Sequence, residues 1–334
     1  MFRRIAGVIV LLLLCIGLGC GLLFASAVRG TFAWLSAEQP TFPLMDGLGS
    51  LHHPIETEDP VAQRYFDQGL IWLYGFNREA AVASFQAAIE RDPGCALCYW
   101  GMAYALGPNL ADPKGTDPKI LHRLAIGRAL AQTPEERAYL WALSQRHPSS
   151  EPEEDQQSAL TYAGAMRSLT TLFPEDLDAA TLYAEALMLL SPGHYWIPSG
   201  QPGPYTQEIL ATLEGVLTQD PDHPGANHLY IHALEGSPTP EKALASAQRL
   251  ETLVPAAGHL LHMPAHIYMP LGRFADAYRT GVKAIRADRE VLQGSSIWRS
   301  EYARTYYPHH LRAVQAAAQN QPLDTQNRIP YFKR

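Results

Sequence analysis

The chain carries no run of lysine and arginine, and its 26 basic residues are outnumbered by 33 acidic ones, for a net charge of −7. No basic stretch is interleaved with aromatics, so nucleic acid is not expected as a partner. Runs alternating β-branched and polar residues are also missing, which argues against a sheet-based fold. There is no glycine-rich phosphate loop, no GxSxG elbow and no arguable Ser/His/Asp set. Neither "HLYIH" nor "HMPAH" contains the glutamate of an HExxH zinc protease, so that hydrolytic mechanism is not supported. Cysteine is scarce: of four, only Cys95 and Cys98, in "CALC", lie beyond the first 27 residues. That pair leaves three readings open: small buried thiols at a helix contact, a disulfide, or metal ligands.

The features that are present begin with a leader. Arg3 and Arg4 precede an apolar run from Ile5 to Phe24, and Ala25-Ser26-Ala27 comes next. A charged start, an apolar middle and a small-x-small close define a signal or anchor segment over 1–27. The run is long for a cleaved signal and near the length that spans a bilayer. Cleavage and retention as a membrane anchor through residues 5–24 are both open. With the arginines staying inside, either outcome exports the remainder of the chain, to the periplasm or another extracytoplasmic space.

A lead-in containing proline and glycine occupies 28–60. Helical periodicity then predicts helices over 61–75, 78–91, 96–106, 118–131, 134–147, 156–173, 175–190, 204–219, 224–236, 240–253, 258–270, 274–290 and about 298–319. "TPEE" (Thr133 to Glu136) is a capping box opening one of them. A full core is available, since 47% of the residues are hydrophobic. The expected fold is all-α over 61–319, with a tail at 320–334. "RDP" (Arg91 to Pro93) and "QDP" (Gln219 to Pro221) each stop a helix, and Pro221 and Pro255 stand 34 residues apart. "GRFADAY" (Gly272 to Tyr278) reads as a tight turn and second-helix start, and Gly69, Ala81, Phe85 and Ala88 surround the first stop.

These features resemble the tetratricopeptide repeat (TPR) family, well over about 61–106 and 204–290 and loosely between. The resemblance implies a right-handed solenoid of antiparallel helix pairs, the first helix of each pair lining a concave face. "AQRYFDQGLIWLYGFN", "CALCYWGMAYALGPN", "HPGANHLYIHALE", "GHLLHMPAHIY" and "YYPHH" are similar to a mostly uncharacterised group of exported bacterial TPR proteins. Those relatives tend to have a histidine where this chain has Arg78, and another near Arg312. They usually continue beyond the equivalent of Arg334, so the resemblance implies that a site built partly from the last repeats is incomplete here.

Six of the thirteen histidines lie between His223 and His266. His228 and His262 are 34 residues apart, and so are His232 and His266. Each i,i+4 pair shares one helix face, at the same place in consecutive repeats. On 224–236 the apolar stripe is Ala226, Leu229, Tyr230, Ala233 and Leu234, while His228, His232 and Glu235 form another. Packed helix axes sit about 8–10 Å apart. Two imidazoles and a metal bridge that gap, so His228, His232, His262 and His266 are expected around one ion with His259 nearby. Packed histidines, a groove with imidazole hydrogen bonds, and repeat similarity without chemistry are the competing readings. Imidazole ligands suit Zn, Cu, Fe or Ni. Glu235 is the nearest carboxylate, read as a base, an orienter of imidazole or a solvated helix-end charge.

His309 and His310, which come after Pro308 as His266 comes after Pro264, are further candidates. So are His52 and His53 in "LHHPIET", and His194 in the loop "SPGHYWIPSGQPGP", whose Tyr195 and Trp196 line or lid the groove. Three functions are consistent with this pattern: an exported repeat protein binding a protein, peptide or small-molecule ligand in its groove beside a metal site; a periplasmic metalloenzyme, oxidase or hydrolase; or a metal-free interaction scaffold.

Overall fold

A computed structural model describes residues 42–108, 110, 117, 119–147, 156–293 and 300–320. The leader over 1–27, residues 28–41 of the lead-in and residues 321–334 of the tail lie outside them. Every regular element among the described residues is helical; the one bridge of strand type, Trp196 with Pro202, closes a loop. No described helix is long and apolar enough to cross a membrane.

The first helix, α1 (Pro60–Tyr74), starts where Asp59 accepts hydrogen bonds from the Val61 and Ala62 amides, with Pro60 in the first turn. It stops at Gly75, and Asn77 caps α2 (Arg78–Arg91). Between them Phe76 has φ 53°, an uncommon conformation for a side chain of that size. The helices α3 (Ala96–Leu106), α4 (Lys119–Leu130), α5 (Pro134–Arg146), α6 (Gln156–Leu172) and α7 (Leu177–Leu189) come next. Thr133 and Glu136 form the expected capping box at α5. Gly69 lets α1 approach α2, because a Cβ there would meet the Phe85 ring at 2.5 Å.

Cys95 caps α3 and is joined to Cys98 by a disulfide across the first turn, with both residues buried. Of the three readings of this pair, the disulfide is the one in the structure.

The second half runs through α8 (Thr206–Gln219), α9 (Pro224–Leu234), a short 3-10 turn (Pro240–Ala243), α10 (Leu244–Leu253), α11 (Gly258–His262), α12 (Pro264–Tyr268), α13 (Phe274–Gln293) and α14 (Glu301–Gln319). The single helix expected over 258–270 is two five-residue helices. Pro264 has no N–H to give to the turn before it, so the ladder breaks at Met263. Pro308 lies inside α14 without ending it.

Helices adjacent in sequence pack on one another through most of the chain. Longer-range packing decides where the site forms: α9 touches α1 and α7, α11 touches α14, and α14 touches α2. Helix α9 is therefore covered on all sides, and of its residues only His232 is not buried. The separate polar stripe expected on it is not solvent-facing. A helix buried all round has no wet face, so its histidines must find partners inside.

Candidate metal centre

Seven imidazoles gather where α9, α11, α12 and α14 meet. His228 and His232 come from α9, His259 and His262 from α11, His266 from α12, and His309 and His310 from α14. His228, His259, His262 and His310 are almost wholly shielded from solvent. His232 and His266 keep side-chain exposures of 18% and 21%, and Glu235 beside them 31%, so the cluster has one edge nearer the surface.

Four of these rings have their tautomer fixed by an oxygen. His228 Nδ1 lies 2.6 Å from the Tyr74 carbonyl, an acceptor only. His232 Nδ1 lies 2.8 Å from Glu235 Oε1, and His266 Nδ1 bonds the other oxygen of that carboxylate. His310 Nδ1 lies 2.7 Å from Asp288 Oδ2, whose Oδ1 accepts from the Tyr302 hydroxyl, also at 2.7 Å. Each Nδ1 must carry the proton, which leaves a lone pair on each Nε2. Burial alone would raise the Glu235 carboxyl, but the hydrogen bonds from His232 and His266 hold it far below the usual carboxylate range. Glu235 thus orients two imidazoles, one of the roles expected for it.

The Nε2 atoms point inward at one another. His262 Nε2 is 3.0 Å from both His266 Nε2 and His309 Nε2, and His259 Nε2 is 3.2 Å from His228 Nε2. His259 Nδ1 is 3.4 Å from His310 Nε2. Nitrogens bound to one metal at about 2.1 Å are separated by about 3.0–3.4 Å when the angles lie between about 90° and 110°. The observed spacings match that range. Protonation is a poor alternative, because burial and the neighbouring imidazoles drive His228, His259 and His262 well below the ordinary histidine value. His309 is lowered to about 4, again by burial first. Uncharged, they have free lone pairs and can hold a metal ion.

The grouping differs from the expected one. His228, His232, His262 and His266 do not close on a single point. They sort into two triads, His228–His232–His259 and His262–His266–His309, each with ligand atoms within 4.8 Å of one another. The break at Pro264 and the arrival of α14 explain the difference. His262 turns its Nε2 to His266 and His309, and His259 turns its own to His228 of α9 instead.

Other candidates go elsewhere. His52 is exposed and bonds Asp67. His53 is buried and bonds Asp178, in a cleft of about 520 Å³ lined also by Glu135, Asp176, Asp220 and His223. Neither joins the imidazole cluster. His53, Asp176 and Asp178 also have the donors for a cation. Their polar atoms are already engaged, however: Asp178 accepts from Tyr74 at 2.5 Å and lies 3.2 Å from His223, while Asp176 accepts from Tyr139 and caps α7. His194 is exposed and bonds the Pro192 carbonyl of its own loop. Trp196 pins that loop to the Ala233 carbonyl at 2.7 Å. Tyr195 is buried and pushed up to about 12, by burial and then by charges that include Glu235. Arg78 donates to the Gly107 carbonyl, and the Arg312 charge acts on His309.

Four contributors escaped the sequence reading. Phe76 lays its ring 4.5 Å from His228 and 5.2 Å from His259, so the strained residue of the α1–α2 turn forms one wall of the cluster. Asp288, Tyr302 and the Tyr74 carbonyl hold imidazoles in place. Asp288 is anchored against α11 because residue 258 is glycine: a Cβ there would come within 2.0 Å of Asp288 Oδ1. The only signal for Phe76 was its place after a glycine at a helix end. In "RADRE" Asp288 looks like one more charge on a solvated face.

No protein-family model matches the chain, and no curated protein sequence matches it significantly.

Proposed function

We propose that the chain is an exported helical-repeat protein, built of TPR-type helix pairs, that holds transition metal in its histidine cluster and presents it to a ligand or partner. One observation carries the metal reading. His228, His232, His266 and His310 are locked as Nδ1–H tautomers, so their Nε2 lone pairs converge in a buried space with too few protons to share. His232 Nε2 is buried with no hydrogen-bond partner at all. Unsatisfied buried acceptors are costly, and a soft cation satisfies them. Zinc, copper and iron all accept imidazole, and among the described residues no carboxylate joins either triad, which favours the first two. The leader supports export, and the repeat spacing supports the helix-pair architecture.

A second reading is favoured by the coordination number. Three-nitrogen sets leave a position open for water or substrate, as catalytic sites do, and the His232–Glu235–His266 edge is the partly exposed one. That open position supports an oxidase or hydrolase.

Metal analysis of the purified protein beside a His228→Ala/His262→Ala double variant tests the proposal. Bound metal in the wild type and its loss in the variant are expected. Negligible metal in both, after expression with zinc and copper supplied, overturns it.

A further inference from the structure

We propose that the cluster is a dinuclear centre: His228, His232 and His259 hold one transition-metal ion, His262, His266 and His309 hold a second, and copper fits both best. This rests on the metal reading above and specifies the number and kind of ions.

The proton inventory leads to two ions. His310 Nδ1 is committed to Asp288, so His310 Nε2 needs a donor, and the atom facing it at 3.4 Å is His259 Nδ1. Once His259 carries its proton on Nδ1, its Nε2 is a lone pair facing the lone pair of His228 Nε2 at 3.2 Å. A cation between them removes that repulsion, and His232 Nε2, otherwise without a partner, completes the set. The second triad has the same deficit independently. His262 Nε2 faces two other Nε2 atoms at 3.0 Å, and that of His266 is a lone pair because its Nδ1 bonds Glu235. One proton on His262 cannot satisfy both neighbours. An ion in one triad leaves the other unrelieved, so each triad requires its own. In this scheme six imidazoles ligate through Nε2. His310 is a positioning residue in the chain His259–His310–Asp288–Tyr302.

The triads are adjacent and share their supports. The His232 and His266 ring centroids are 5.7 Å apart, and those of His259 and His262 are 6.1 Å apart. Glu235 binds His232 of one triad with one oxygen and His266 of the other with its second, so a single carboxylate sets one ligand of each ion. Charge selects the metal. The nearby carboxylates that hold imidazoles are Glu235 and Asp288, with two negative charges between them. Two monovalent ions are neutralised by that pair, whereas two divalent ions need further anions. Copper is among the metals that imidazole ligands suit, and its monovalent form matches that charge.

The test uses the intact protein, stripped with a chelator and then loaded anaerobically with Cu(I), with Zn(II) in parallel. Metal and protein are quantified after desalting. The wild type is expected to retain about two copper ions per chain, as a two-metal site requires. His266→Ala/His309→Ala and His228→Ala/His232→Ala are each expected to retain about one, each emptying a single triad. A His194→Ala variant controls for surface histidines and is expected to match the wild type. Circular dichroism establishes that each variant keeps its helices. After oxidation by dioxygen, which takes up the two electrons and supplies a bridging oxygen, the wild type should show a coupled pair with weak or no paramagnetic resonance, and each double variant an isolated Cu(II) signal. One ion in the wild type, lost from both double variants, overturns the dinuclear centre and leaves the metal reading standing. No metal in any form overturns both. Two zinc ions without copper overturns the assignment of the metal.

Discussion

His262 and His309, 47 residues apart in the chain, bring their Nε2 atoms to 3.0 Å. One comes from a short helix ended by Pro264 and the other from a helix that continues through Pro308. Two imidazole nitrogens held at that distance on separate elements make an arrangement that a bound cation stabilises. Metal should therefore bind the folded chain and not the unfolded one. The melting temperature of the loaded protein is expected to exceed that of the stripped protein, by an amount that grows with free metal. Equal melting temperatures would mean that the cluster does not select for a cation. Because the ligands must be uncharged imidazoles, the difference should shrink as the solution is acidified.

Glu235→Gln keeps the shape of the side chain but removes the charge that orders His232 and His266. Residues in this position behind metal-bound histidines typically change affinity about 10–100-fold. Competition against a chromophoric chelator should show a loss of that size with unchanged helix content. An unchanged affinity would assign Glu235 to the solvent rather than to the imidazoles.

Gly258→Ala places a Cβ about where Asp288 Oδ1 sits, since the two would be 2.0 Å apart. The carboxylate must move, and His310 and Tyr302 lose their acceptor with it. Overpacking of this kind costs about 1–3 kcal/mol, to be read from urea unfolding of the metal-free protein. A larger loss of metal binding than of stability would show that Asp288 acts through His310.

Away from the cluster, His53 and Asp178 govern stability in alkali. Burial by itself would lower the His53 pKa, but the hydrogen bond and charge of Asp178 outweigh it and raise the value from 6.5 to about 9. A histidine whose folded value is raised contributes its full stabilisation below its unfolded value. That contribution is lost as the pH rises through the folded value. Unfolding free energy should thus fall between about pH 6.5 and 9, on the order of 3 kcal/mol for this group. His53→Gln should flatten that dependence. A slope that survives the substitution would place its origin in another group.

Much of the fold could be read from the chain because helices are local structures. The Thr133 cap, the Asp-Pro stops and the apolar spacing each act within one or two turns, and the observed boundaries fall close to the expected ones. The i,i+4 pairs of α9 and of α11 with α12 were equally legible, and so was the 34-residue spacing between them. Misreadings arose where a distant element intervenes. The stripe of His228 and His232 carried no sign that α1 and α7 pack on α9. His52 and His53 were read toward the histidines, and Asp178 took His53 instead.

By itself, the sequence determined an all-helical chain with two i,i+4 histidine pairs 34 residues apart, since both depend on spacings along the chain. Only the tertiary structure decided which nitrogens face each other. His228 is fixed by a carbonyl 154 residues away, His259 by His310 and His262 by His309. Such convergence depends on how helices stack and where Pro264 breaks one of them. No local pattern encodes a lone pair's direction.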